Sequence, residues 1–289
     1  MSLDSISSEL SGGGFDEQAE SGLRIGWLST GRGPGSRRLL ESTVTAIRHG
    51  DLGASIDYVF CTRDPGEAEG SDTFLKLVAE YEIPSLTLSF RAFRDAHTAH
   101  DARNPDWRRT YNAELLKLLV DRPVDILVLA GFLLILDEEV ITAFPTLNLH
   151  PAAPGGPVGT WQEVIRTQIA EQATESGAMT QLATPAVDRG PVASFCRFPI
   201  RGPTLDPLWS SFPQASEPRS NEEIEASPLF AAIRAESVRR EVPLLIATLN
   251  AVATAEIRLQ GGRVIDGLGQ PSAGLDLTDE IEWELGRSP

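Results

Sequence analysis

Apolar and polar positions follow two alternating patterns along the chain: short apolar runs, and longer stretches in which apolar residues return every three or four positions. The runs at 23–29 (LRIGWLS), 55–61 (SIDYVFC), 85–88, 123–130 (PVDILVLA) and 146–149 predict strands. Helices are predicted between them, at 37–50, 72–81, 107–121 and 137–144. In the third of these, Tyr111, Leu115, Leu118 and Leu119 share one side. The run at 123–130 is almost wholly apolar, as a central parallel strand covered on both faces must be. Strand and helix in alternation predict an α/β fold: a Rossmann-like, doubly wound, mostly parallel sheet in a single domain. Its site is expected at the carboxyl ends of the strands.

Past residue 150 the pattern changes. A Pro/Gly-rich loop (PAAPGGPVG) leads to a helix at 161–172 and strands at 178–184 and 191–198. A long helix at 229–253 and a hairpin at 255–259 and 263–265, turning at Gly261-Gly262, follow. Two polar stretches read as loops: 90–104, which holds His97 and His100 among Arg and Asp residues, and 200–227, rich in Pro, Ser and Glu. The ends read as acidic tails, 1–22 disordered and 269–289 loosely held, around a domain at 23–268.

Composition narrows the function classes. A hydrophobic content of 41% over 289 residues is enough for a sizeable core. The net charge of −16 repels phosphate backbones, so nucleic acid is not an expected partner. Cys61 and Cys196 lie in strand-like runs without metal-ligand spacing, as small core residues of a reducing compartment do. No run is long enough to span a membrane, and the amino terminus lacks a basic n-region and an h-region. A cytoplasmic protein with no membrane partner is expected. His97 and His100 lack a convincing third ligand, so no metal is expected either.

Two stretches carry chemistry. In Asn148-Leu149-His150, alternation along a strand puts an amide and an imidazole on one face. An amide can donate to a developing oxyanion while an imidazole moves a proton, a pairing suited to acyl or formyl transfer to an amine. Asp188, in VDRGPV, adds a carboxylate beside a turn. An isolated Asn-x-His can equally be a polar strand end. The second stretch joins the first strand to the first helix through Gly31, Arg32, Gly33, Pro34, Gly35 and Ser36. Free amides at the positive end of a helix make an anion site, which Arg32, Arg37 and Arg38 reinforce. It is neither a P-loop nor a dinucleotide fingerprint, and many such turns contain Gly for steric reasons alone.

With Gly31 to Ser36, AGFLLIL at 130–136, NLHPA at 148–152 and VDRGPV at 187–192 in this order, the chain resembles the folate-dependent formyltransferases, and among them those acting on glycinamide ribonucleotide. The resemblance covers residues 23–265. It implies transfer of a formyl group from 10-formyltetrahydrofolate, as co-substrate, to a small primary amine that carries a phosphate, in purine synthesis. Asn148 would donate to the formyl oxygen, His150 would shuttle the proton, and Asp188 would hold the imidazole or a bridging water. The folate would lie along Phe132, Leu133, Leu134, Ile135 and Leu136 and against Ala183 and Val187. The substrate phosphate would sit at Gly31, Arg32, Gly33, Gly35 and Ser36. A homodimer is permitted.

Several positions depart from the family pattern. The phosphate turn is longer and more basic than usual, and Gln181 stands where the family often has a His, seven residues before the Asp. Leu134 replaces an Arg, and Val238 replaces a Glu five positions before Pro243. These departures leave open another amine, such as an amino sugar nucleotide, or a non-catalytic folate- or nucleotide-binding protein. Transfer to methionyl-tRNA is disfavoured by the charge and by the lack of an evident OB-type domain. The related formyl-folate hydrolases typically carry an added amino-terminal domain.

Overall fold

The most apolar runs pair at the centre of the sheet. In the computed structural model, which describes residues 22–100, 107–212 and 220–286, β1 (Leu23–Ser29) lies against β4 (Ile126–Leu129), a strand buried at every position. Between them in sequence come α1 (Pro34–His49), β2 (Ala54–Cys61), α2 (Glu69–Glu80), β3 (Ser85–Thr87), α3 (Phe90–His100) and α4 (Trp107–Val120). Then follow α5 (Glu138–Ala143), β5 (Thr146–His150), α6 (Trp161–Ala170), β6 (Glu175–Leu182) and β7 (Val192–Pro199). The chain continues through α7 (Asp206–Ser211), α8 (Asn221–Glu225) and α9 (Pro228–Ala253). It ends with β8 (Ile257–Gln260), β9 (Arg263–Asp266), β10 (Leu275–Asp276) and α10 (Thr278–Glu284).

The main sheet has the order β3-β2-β1-β4-β5-β6-β7-β10, and β8 and β9 form a separate hairpin. Pairing is parallel from β3 to β5 and between β7 and β10, and antiparallel on both sides of β6. Along β1 the side chains alternate between two cores. Ile25 and Trp27 join Leu40, Val44, Phe74 and Leu249 on one face, and Leu28 joins Phe60, Tyr111, Leu115 and Leu127 on the other. Each such side chain is worth about 1.5–3 kcal/mol when fully buried, so both faces must stay covered. The doubly wound, mostly parallel expectation therefore holds.

Strand order reverses between β1 and β4, which opens a crevice beyond their carboxyl ends. The two chain exits there are laced together. Ser29 Oγ donates to the Ala130 carbonyl at 2.7 Å, the Thr30 amide to the Gly131 carbonyl at 3.1 Å, and the Leu133 amide to Thr30 Oγ1 at 3.2 Å.

Three expectations need correction. Residues 90–100 form a helix rather than a loop, because Phe90 and Phe93 anchor it. Phe93 meets the Tyr111 ring edge-on at 5.3 Å, and Phe90 lies 6.1 Å from Trp107. The rest of that stretch, 101–104, is outside the described residues. The segment 200–227 is not simply a surface loop: it contains α7 and α8. Ile200, Leu205 and Trp209 are buried against Ile165, Phe198, Phe230 and Ile233. Of the carboxyl-terminal segment, 275–284 is docked rather than loosely held. β10 pairs with β7, and Ile281 is fully buried with Ala178, Cys196 and Leu244. Arg240, on α9, is itself fully buried; it pairs with Glu236 at 2.8 Å and with Glu282, on α10, at 2.5 Å. The tail at 1–21 is outside the described residues.

Candidate active site

β5 delivers Asn148 and His150 to one face, and β6 runs antiparallel beside it with Gln181 opposite Asn148. The pairing of β6 with β7 shifts between Thr180 and Gln181, so that Thr180 faces Ser194 while Gln181 faces Val192. Such a bulge re-aims the side chain next to it. The turn after β6 then returns Asp188 to this face. Asp188 adopts a left-handed backbone with φ of 54°, a conformation Asp tolerates better than most residues. Gly190 is required there, since a Cβ at that position would lie 1.7 Å from the Leu182 carbonyl oxygen.

The Asp188 carboxylate is the hub of this cluster. Its Oδ1 receives the Asn148 Nδ2 at 3.2 Å and the Gln181 Nε2 at 3.4 Å, and lies 3.5 Å from His150 Nδ1. Its Oδ2 receives the Gly159 amide at 3.2 Å. His150, only 2% exposed, sets Nε2 at 2.9 Å from the Pro157 carbonyl. A carbonyl can only accept, so Nε2 carries a hydrogen there. Both ring nitrogens therefore face acceptors. The three residues expected to act together do meet. Pro157 and Gly159 could not be read from the sequence, because the 155–160 loop folds back on the cluster through tertiary contact alone.

On the other side of the crevice, α1 begins without a side-chain cap: Gly33 is extended at the N-cap and Pro34 opens the first turn. A Cβ at Gly33 or Gly35 would meet nothing within 4 Å, so both present bare backbone to open space. Gly31 differs: its φ is 63° and a Cβ there would meet the Phe74 ring at 2.9 Å. Ser36 is buried, and its Oγ would lie 2.4 Å from a Cβ placed on Gly131, so this glycine lets the β1 and β4 turns close on each other. Arg32 is exposed, whereas Arg37 reaches the Gly70 carbonyl at 3.4 Å. Arg38 Nη2 donates to the Val238 carbonyl at 2.6 Å and ties α1 to α9.

The 132–136 segment divides its side chains. Leu136 is buried and Phe132 half-buried in the core beside Leu129 and Val140, while Leu133 and Ile135 are exposed. Leu133, Leu134 and Ile135 line a cavity of about 280 Å³ whose other walls are Phe90, Trp107, Tyr111, Asn112, Arg94 and Arg108. Asn112 shapes this wall: its Nδ2 donates to the Ile135 carbonyl at 3.2 Å and its Oδ1 accepts the Asp137 amide at 3.1 Å. Ala183 is half-buried, its amide bonded to the Thr146 carbonyl at 2.8 Å, and Val187 is exposed on the Asp188 turn. The α3 wall of the cavity escaped the sequence reading because 90–104 read as a loop, whereas the α4 wall lies on the helix expected at 107–121. Among the described residues, no group of three or more His, Cys, Asp or Glu side chains could hold a metal ion, and no helix is long and apolar enough to cross a membrane.

Comparison with known proteins supplies the wider setting. The phosphoribosylglycinamide formyltransferase of Saccharomyces cerevisiae is 27% identical over 164 residues, covering 54% of this chain and 75% of that protein. The protein of the same name from Schizosaccharomyces pombe is 26% identical over 170 residues, covering 56% and 76%. Among solved structures, the phosphoribosylglycinamide formyltransferase of Coxiella burnetii matches with a TM-score of 0.59 at 19% identity, over 89% of this chain and 99% of that one. A formyltetrahydrofolate deformylase of Pseudomonas syringae matches at 0.57 with 15% identity, over 85% and 66%. The structural matches establish the shared fold. The family model described as Formyl transferase matches residues 34–202, more than half of the chain and all of the Asn148, His150 and Asp188 cluster. The chain therefore belongs to the formyl transferase family.

Proposed function

We propose that this protein transfers a formyl group from 10-formyltetrahydrofolate to a primary amine, with glycinamide ribonucleotide as the first substrate to test. One observation carries the proposal: an amide donor, an imidazole and a carboxylate meet at the end of β5, across a crevice from an uncapped helix amino terminus. The yeast relatives, named phosphoribosylglycinamide formyltransferases, support the choice of amine.

The formyl-folate supplies an activated formyl carbon. Asn148, half-buried at the strand end, has an NH₂ group that can leave Asp188 and donate to the formyl oxygen as charge develops there. With its Nε2–H held by the Pro157 carbonyl, His150 takes a proton from the attacking amine on Nδ1 and returns one to the folate nitrogen that leaves, while Asp188 beside Nδ1 steadies the imidazolium. The cavity between Leu133, Leu134, Ile135 and the α3–α4 aromatics fits the folate's aryl portion. Arg108 on its wall suits the carboxylates of the glutamyl tail, and so offsets the loss of a cation at Leu134, while Arg94 is paired with Asp95 at 2.8 Å. The amides of Gly35 and Ser36, with Arg32, suit the substrate phosphate. A charge of −16 opposes nucleic acid as partner, and two buried free thiols suit a cytoplasmic setting.

Formyl transfer is tested by incubating the protein with 10-formyltetrahydrofolate and glycinamide ribonucleotide and following the folate product. Product that depends on the amine supports the proposal. Formate released equally without amine would make the protein a hydrolase instead.

A further inference from the structure

Gln181 is 1% exposed and sits opposite Asn148 at the bulge between β6 and β7. Its Nε2 donates to Asp188 Oδ1 at 3.4 Å. Turning the amide over would set its oxygen against the carboxylate, so the network fixes the orientation. The amide oxygen is held on the same carbon as the group that meets Asp188. It is buried and has no hydrogen-bond partner among the described residues. Buried acceptors are nearly always paired, so this one calls for a donor. The neighbouring donors are engaged elsewhere: the Asn148 amide and the Gly159 N–H on Asp188, and His150 Nε2 on the Pro157 carbonyl.

We infer that, once Asn148 leaves Asp188 for the formyl oxygen and uncovers this buried atom, Gln181 orients the attacking amine, its Oε1 accepting one N–H so that the nitrogen lone pair faces the formyl carbon. This rests on the formyl-transfer function proposed above. The hydrogen count follows from it. The amine nitrogen forms a bond to the formyl carbon as the bond from that carbon to the folate nitrogen breaks. One amine hydrogen leaves through His150 to the folate nitrogen, and the other stays on the product formamide, held by Gln181 throughout. A primary amine satisfies both demands. A secondary amine has a single N–H, which must leave, so nothing remains for Gln181. The residue thus selects primary amines, and it does so without a charge that titrates near neutrality.

The test compares kcat/KM for glycinamide ribonucleotide and for its sarcosinamide counterpart, which carries one N–H, in the parent, Gln181→Leu and Gln181→Met. Two variants guard against a single side chain that packs badly, and folate binding and thermal melting are recorded for each. The expected result is a fall of about tenfold for the primary amine in both variants, the worth of one hydrogen bond. The preference for primary over secondary amine should narrow by a similar factor, with folate affinity and melting temperature retained. Variants within about twofold of the parent on both amines, the cost of a single weak hydrogen bond at most, would overturn the role of Gln181 and leave formyl transfer standing. A parent that forms no product overturns formyl transfer itself, and the inference with it.

Discussion

Three donors reach the Asp188 carboxylate, the Asn148 and Gln181 amides and the Gly159 backbone N–H, and Nδ1 of His150 lies beside it. Their distances of 3.2–3.5 Å are long, which suits the rearrangement proposed above, in which Asn148 would turn to the formyl oxygen. Asp188→Asn keeps the shape but places an NH₂ group among donors, so the imidazole loses its orienting acceptor. The expected outcome is a kcat lower by about a hundredfold, the scale of general acid–base catalysis. Steady-state kinetics with an intact circular dichroism spectrum checks it, and a kcat within about threefold of the parent's would remove Asp188 from that role. Asn148, His150 and Asp188 were legible in the sequence because alternation along one strand and a Gly-Pro turn are local signals. Gly159 and Pro157 were not, since nothing within 155–160 says which residues the loop will touch. Gln181 was visible as a departure from the family pattern, but its unpaired oxygen depends on the bulge, and that belongs to the pairing of two strands.

At the scale of elements, the central strands announced themselves and the short anchored helices did not. β1 and β4 are continuous apolar runs, whereas α3 hangs on Phe90 and Phe93 among Arg and Asp, and α7 on Trp209. A single anchor carries no period, so composition dominates the reading. The segment 275–284 shows the same effect: its acidic residues suggest a solvated tail, but Ile281 fills a site between β6, β7 and α9. Ile281→Ala should lower the unfolding free energy by about 2–5 kcal/mol through lost contact and the cavity left behind. Urea unfolding measures this, and a loss below about 0.5 kcal/mol, the range of ordinary surface substitutions, would show that α10 contributes nothing to the core. The arginine–glutamate contacts of Arg240 with Glu236 and Glu282 act in the same direction, because removing one partner strands a buried charge.

For the whole molecule, burial on both faces of one sheet sets the chemistry of the two thiols. Desolvation pushes Cys61 and Cys196 each up to about 11 from 9.0. Each keeps its proton in the folded state between pH 9.0 and about 11, where an unfolded chain loses it. Unfolding therefore releases protons in that window, and stability falls as pH rises through it, with no such loss below. At about pH 8.5, just below that window, iodoacetamide should leave the folded protein unlabelled while the urea-unfolded chain reacts at both sites. Rapid double labelling of the folded protein, read by mass spectrometry, would contradict the packing described here. The same fold brings the carboxyl ends of β1, β4 and β5 to one crevice, and the proposed mechanism rests on that convergence. The direct measurement is single-turnover formyl transfer from 10-formyltetrahydrofolate to glycinamide ribonucleotide by the parent, Asn148→Ala and His150→Ala. Transfer by the parent, slowed about a hundredfold or more in both variants while folate still binds, is the expected result. A parent that transfers the formyl group with both variants equally fast would place the chemistry elsewhere in the molecule.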